Sequence, residues 1–207
     1  HDKSKLLLLF DSDNKSQLKN RLAKFSQYLP NSKWKVSQPK KLKDQTFNLN
    51  IEISGNKKYG GQNYFLQSSQ TVNLRIKDNK IVDHQIINES SILKSTDQQI
   101  DLIVNIPNTV LTGTKYDIDI IFEEPLGEAI VAGGLMNISK KEYTNNLSPK
   151  IELSPMGGGG LFKTVQAPIN PGYQVWGAIL AHPKGLITLT KKVKVVSNLL
   201  EINNNEL

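Results

Sequence analysis

The stretch from residue 72 to residue 87 reads VNLRIKDNKIVDHQII and predicts local structure more clearly than any other part of the chain. Its first five residues alternate between apolar and polar side chains, and this two-residue period predicts a strand with one buried face. A tight turn is expected at residues 78–80, and residues 80–87 are expected to return as the partner strand. The stretch therefore predicts an antiparallel β-hairpin.

The residues before this hairpin predict a helix and further strands. Four apolar residues recur at helical spacings of four, three and four, and lie on one helical face: Leu18, Leu22, Phe25 and Leu29. Residues 47–53 alternate as a strand, and Ser54-Gly55-Asn56 is typical of a turn. Residues 1–95 are therefore predicted to form an α+β domain, in which one helix packs on a curved antiparallel sheet.

The second half of the chain predicts strands only. Six or seven short alternating segments follow one another between turns rich in proline and glycine. Residues 96–197 are therefore predicted to form an all-β sandwich, and residues 198–207 a flexible polar tail. Charge supports this division, since residues 1–94 carry a net charge of +9 and residues 95–207 carry −2.

The composition of the 207 residues excludes several kinds of chemistry. Because the chain has no Cys, it has no disulfide scaffold, no Cys-ligated zinc and no thiol nucleophile. No apolar run approaches the ~20 residues of a membrane-spanning helix. The net charge of +7 is the balance of 26 basic against 19 acidic residues, and 24 of the basic residues are Lys. The presence of only two Arg argues against nucleic acid as a partner, because Arg makes most of the bidentate contacts to bases and phosphates.

Together, the two predicted halves resemble two common modules in tandem. The helix and sheet of the first half resemble a cystatin-like or nuclear-transport-factor-like domain. The strands of the second half resemble the immunoglobulin-like sandwiches of bacterial extracytoplasmic proteins. Trp176 lies on the penultimate predicted strand rather than at the antibody position, and the antibody Cys pair is missing. The resemblance implies a bacterial protein that works outside the cytoplasm, with a cytoplasmic location as the alternative.

The glycine-rich segment PMGGGGLFKT at residues 155–164 is the most conspicuous motif. It departs from the phosphate-binding loop, which has Gly directly before its Lys and a helix after it, so no nucleotide is predicted. Consecutive N–H groups in such a segment can bind an anion or admit a partner's backbone. The candidate binding residues here are Gly157, Gly158, Gly159, Gly160 and Lys163.

Two further pairs of residues are candidates for a functional site. Tyr173 and Trp176 can anchor a partner if they are exposed, although a Trp on such a strand is usually part of the core. Asp83 and His84 are the candidates for acid–base catalysis. Neighbouring strand residues point to opposite faces, however, and this argues against a hydrogen-bonded pair.

These observations favour a non-catalytic binding or assembly protein that acts through protein–protein contacts with an unidentified partner, without a metal or another cofactor. One alternative is a small-molecule pocket, or a simple acid–base enzyme, in the first domain. Another alternative is contact between the basic first half and an anionic membrane or nucleic acid. The sequence leaves the oligomeric state open.

Overall fold

The computed structural model describes residues 7–42, 45–96, 100–124, 126–145 and 149–198. The chain is mostly β and divides into two compact units, unit 1 (His1–Ile87) and unit 2 (Asn88–Leu207). Unit 1 carries 16 basic and 7 acidic side chains and unit 2 carries 10 and 12, which gives net charges of +9 and −2. Apart from Asn198, the predicted tail at residues 198–207 lies outside the described residues.

Unit 1 is built on long antiparallel strands. Its elements are helix α1 (Ser12–Tyr28), β1 (Lys33–Val36), β2 (Lys40–Lys41), β3 (Thr46–Tyr59), β4 (Gln62–Lys77) and the first part of β5 (Lys80–Lys94). The strand order is β1–β3–β4–β5, and β2 also pairs with β3. The predicted hairpin is confirmed, because β4 and β5 are joined by Asp78 and Asn79, whose φ angles of 49° and 60° suit a two-residue hairpin turn.

The turn predicted at residues 54–56 is wrong. Strand β3 continues through Gly55 to Tyr59, and the chain turns at Gly60 and Gly61, whose φ angles are 58° and 81°. Gly55 instead lies at a close contact, since a Cβ there would lie 3.2 Å from the Cα of Ser32. The glycine therefore marks a close approach of backbone within a strand rather than a turn.

The predicted fold class, α+β followed by all-β, is wrong. The protein is mostly β, with a large antiparallel sheet, and does not contain the predicted domain of one helix packed on a sheet. None of the α1 side chains that the structure describes is buried, and Leu18, Leu22 and Phe25 are only half-buried. The helical period correctly predicts a helix, but period alone does not determine how deeply its apolar face is buried.

Unit 2 contains two sheets, which are antiparallel apart from one parallel pair of strands. Its elements after β5 are β6 (Leu102–Asn105), β7 (Thr109–Leu111), β8 (Lys115–Phe122), β9 (Ala132–Ile138), α2 (Lys140–Thr144), β10 (Ser154–Pro155), β11 (Gly160–Gln166), β12 (Gly172–His182) and β13 (Gly185–Val196). One sheet has the order β5–β13–β12–β9–β10, and β7 pairs in parallel with β13. The other sheet has the order β11–β8–β6.

One apolar core joins the two sheets of unit 2. Side chains from β8, β12 and β13 share it, and five of its larger members are 0% exposed: Ile118, Ile120, Leu180, Ile187 and Leu189. Burial of this kind stabilises a domain by roughly 1.5–3 kcal/mol for each large side chain. Among the helices of the described residues, none is long and apolar enough to cross a membrane.

Candidate functional site

The glycine-rich segment joins β10 to β11, and its glycines serve different local purposes. Gly159 has a φ of 74°, a backbone conformation that favours glycine. A Cβ on Gly160 would lie 3.0 Å from the Phe162 ring, so this glycine makes room for the ring. A Cβ on Gly157 or Gly158 would meet no atom within 4 Å. The segment is also anchored, because the Phe122 N–H donates to the Gly159 carbonyl at 3.0 Å.

Trp176 belongs to the core of unit 2. It is 4% exposed, and its indole N–H donates to the Tyr116 hydroxyl at 2.7 Å. The Tyr116 hydroxyl donates in turn to Gln174 Oε1 at 2.8 Å, and burial raises the pKa of Tyr116. Lys163 is exposed, and its Nζ lies 5.8 Å from the centre of the Trp176 ring. The indole is thus occupied by protein groups and is not free to stack on a ligand.

Tyr173 lies on the opposite face of β12 from Trp176, within a cluster of lysines and tyrosines. The Lys192 Nζ is 4.2 Å from the centre of the Tyr173 ring and 5.5 Å from that of Tyr143. The Tyr143 hydroxyl donates to Glu89 Oε2 at 2.5 Å. Lys192 is 6% exposed, and this burial lowers its pKa, while the negative charge of Glu89 opposes the shift. The rings and the carboxylate stabilise a buried cation and hold α2 against the sheet.

Asp83 and His84 are not brought together. Asp83 is exposed on β5, whereas His84 is half-buried and its ring makes an edge contact with Phe10 at a centroid distance of 5.8 Å. Consecutive residues of a strand point to opposite faces. The two side chains therefore do not form an acid–base pair.

An exposed apolar surface on unit 2 was not predicted from the sequence. It consists of the outward side chains of β6, β8 and β11, and is called the three-strand face below. Ile103 of β6 is opposite Ile121 of β8, which is opposite Gly160 of β11. The Phe162 ring lies over Gly160, which extends this row across all three strands. Ile103 is 50% exposed and Phe162 is 61% exposed.

Acidic side chains flank this apolar row on the three-strand face. Asp119 is opposite Phe162, and Asp117 is opposite Thr164 in the next row. The Thr164 hydroxyl donates to Asp117 Oδ1 at 2.6 Å, and the Asn105 amide donates to Asp119 Oδ2 at 3.2 Å. These hydrogen bonds orient the two carboxylates beside the row. The face therefore combines an apolar centre with fixed negative charge.

A cleft of about 250 Å³ lies at another part of unit 2. It is lined by Ile100, Asp101, Phe122, Glu124, Leu126, Ala129, His182, Pro183 and Lys184. His182 Nδ1 accepts the Lys184 backbone N–H at 3.0 Å, which leaves Nε2 as the protonated nitrogen of the neutral ring. Burial and the nearby charge of Lys184 lower the pKa of His182, and Glu124 opposes this shift. In the part of the chain that the structure describes, no group of His, Asp and Glu is suited to a metal ion.

Comparison with families of known proteins gives a match to the second half of the chain. Residues 97–196 match the model of a family described as a domain of unknown function (DUF8623). This segment lies within unit 2 and includes the three-strand face and the lining of the cleft. No curated protein matches the chain. The resemblances to cystatin-like, nuclear-transport-factor-like and immunoglobulin-like proteins thus stay predictions from sequence.

Proposed function

We propose that the chain is a non-catalytic binding protein that acts through protein–protein contacts, and that the three-strand face is its contact surface. The exposure of Phe162 carries this proposal, because a ring that is 61% exposed continues an apolar row across three strands. Apolar patches bordered by polar groups are typical of surfaces that bind other proteins. Aromatic side chains at the centre of such patches often supply much of the binding energy.

The charge beside the row indicates the chemistry of the partner. Asp117 and Asp119 are held in place by hydrogen bonds, so a bound partner should place Lys or Arg next to its apolar side chains. Two copies meeting by the same face would bring these carboxylates towards one another, which disfavours a symmetric dimer. The expected partner is therefore an apolar protein segment flanked by basic residues.

Selection from a library of displayed peptides on the immobilised full chain tests this proposal even though the partner is unidentified. The selected peptides are then measured against the Phe162→Ser variant, which takes no part in the selection. We expect these peptides to carry an apolar or aromatic residue flanked by Lys or Arg. Their affinity for Phe162→Ser should be at least about tenfold weaker, since burying a Phe is worth roughly 1.5–3 kcal/mol.

Ile169→Ser is the matched control for this selection. Ile169 is 81% exposed and lies in the loop between β11 and β12, outside the three strands that form the face. The selected peptides should bind this variant as they bind the native chain. Asp117→Asn combined with Asp119→Asn should weaken binding and reduce its dependence on salt. Peptides that bind Phe162→Ser as well as the native chain would contradict the proposal.

A further inference from the structure

The turn between β3 and β4 in unit 1 forms an exposed tip that contains tyrosine and lysine. This tip comprises residues 56–65, in which Lys57 is opposite Tyr64, and Tyr59 is opposite Gln62, across the turn at Gly60 and Gly61. It is called the hairpin tip below. The two glycines have positive φ angles, and a Cβ on either would meet no atom within 4 Å. The turn therefore lies at an open surface.

A lysine ammonium lies between two exposed rings at this tip. The Lys57 Nζ is 5.3 Å from the centre of the Tyr59 ring and 5.4 Å from that of Tyr28, at the end of α1. Each of these tyrosines is 69% exposed. Lys58 follows in the strand, is exposed and points to the other face. A half-buried lysine thus lies between the two rings on one face of the tip, and a second, exposed lysine lies on the opposite face.

The surroundings of the hairpin tip carry no compensating acid in the sequence. From Ile53 to Lys77 there is no Asp or Glu, while Lys57, Lys58, Arg75 and Lys77 are basic. The nearest acidic residue before this range is Glu52, which pairs with Lys35 at 3.2 Å. This stretch of sequence therefore adds no negative charge that would offset the two lysines of the tip.

We propose that the hairpin tip docks on an anionic lipid surface. Tyrosine rings favour the boundary between membrane and water, and lysines are attracted to anionic headgroups. Nucleic acid is the less favoured partner, because the two basic residues of the tip are both Lys, whereas bidentate contacts to phosphate and bases favour Arg. This contact uses none of the residues of the three-strand face, and so it stands independently of the protein-binding function proposed above.

Vesicle co-sedimentation with the full chain tests this proposal. The probe is a vesicle of phosphatidylserine and phosphatidylcholine, compared with one of phosphatidylcholine alone. We expect the chain to bind the anionic vesicle and to be released by salt. Lys57→Gln combined with Lys58→Gln should weaken binding about 30-fold, which corresponds to about 1 kcal/mol for each lysine near the surface. Tyr59→Ala should weaken it several-fold.

Lys40→Gln combined with Lys41→Gln provides the matched control. These two lysines are exposed on β2, and their replacement changes the net charge by the same amount. The affinity of this control for anionic vesicles should be within about threefold of that of the native chain, since salt limits the range of electrostatic attraction to about 10 Å. With Trp176 replaced by Phe, the fluorescence of Trp34 verifies that unit 1 is folded in each variant. Phe162→Ser should bind vesicles normally.

Three results would overturn the proposal. The first is equal binding to vesicles with and without phosphatidylserine. The second is an equal loss of binding in the Lys40/Lys41 control, which would attribute binding to net charge rather than to the tip. The third is tighter binding to a DNA duplex than to vesicles with the same dependence on Lys57 and Lys58, which would identify nucleic acid as the partner.

Discussion

The two units bury their apolar side chains to different depths. In unit 2 the core between two sheets contains side chains that are 0% exposed, such as Leu189 and Ile118. In unit 1 the most buried residues of the long strands, Val72 and Ile53, are still 5% and 6% exposed. Other apolar residues of those strands, such as Leu74, are only half-buried. Two facing sheets enclose a core from both sides, whereas unit 1 leaves more of its apolar surface near water.

Because of this difference, we expect unit 2 to be the more stable unit. We expect the surfaces of unit 1 to change conformation more readily. Each unit contains one Trp, Trp34 in unit 1 and Trp176 in unit 2. Replacing either Trp by Phe leaves the other as a reporter of its own unit. Unfolding of the two units can therefore be followed separately.

The largest expected effect is that of shortening a core leucine. Leu189→Ala should lower the free energy of unfolding of unit 2 by about 3 kcal/mol, because it leaves a cavity among fully buried side chains. The matched Leu74→Ala should lower that of unit 1 by only about 1 kcal/mol, since Leu74 is half-buried. Urea unfolding followed by the fluorescence of the Trp in each unit measures both values. Equal losses of unfolding free energy in the two variants would contradict the conclusion that apolar side chains are more deeply buried in unit 2 than in unit 1.

A smaller effect is expected from adding a methyl group to a strand glycine. In unit 2, a Cβ on Gly134 would overlap the carbonyl oxygen of Glu152, so Gly134→Ala should cost about 2 kcal/mol. In unit 1, a Cβ on Gly55 would approach the Cα of Ser32 only to 3.2 Å. The higher strand preference of Ala offsets that contact, and Gly55→Ala should change stability by less than about 0.5 kcal/mol.

Thermal unfolding of both glycine variants measures this contrast. The Trp fluorescence of each unit reports the change in its own melting temperature. A large fall in melting temperature for Gly55→Ala, or no fall for Gly134→Ala, would contradict the expectation that the backbone packs more closely around Gly134 than around Gly55.

The smallest expected effect is on the pH dependence of unit 2. Burial and Lys184 lower the pKa of His182, so the unfolded chain takes up a proton below about pH 6.5 that the folded chain resists. The free energy of unfolding should therefore fall as the pH drops from 7 to about 5, and this fall should be shallower in His182→Gln. Urea unfolding at several pH values measures it. His84→Gln, in unit 1, is the control and should leave the slope for unit 2 unchanged.

Alternation predicted many of the strands, because a side-chain period of two follows directly from strand geometry. It predicted the hairpin at Asp78 and Asn79, where the turn residues tolerate positive φ. The turn predicted from Ser54-Gly55-Asn56 was misplaced, because glycine suits both a tight turn and a close approach of a strand to its neighbours, such as that of Gly55 to Ser32. Local sequence does not distinguish these two reasons.

The candidate surfaces were harder to predict, because they depend on which strands become neighbours. Ile103 and Phe162 come from strands far apart in the chain. They share one surface because both strands pair with β8 and because the Phe162 ring lies over Gly160, which is opposite Ile121. The sequence held one signal, namely the consecutive apolar residues Ile120-Ile121-Phe122, which break the alternation and require an apolar side chain to face outward. The predicted location outside the cytoplasm stays a prediction.

The position of β13 in the sheet has a consequence for the order of folding during synthesis. This strand is the last described strand to leave the ribosome, yet it pairs with β5, β7 and β12. Its partner β7 lies more than 80 residues earlier, at Thr109–Leu111. Until residue 196 has been made, these earlier strands lack their shared neighbour, and their unpaired edges are exposed. Unit 2 should therefore complete its fold only after translation of that strand, and unit 1 has the opportunity to fold first.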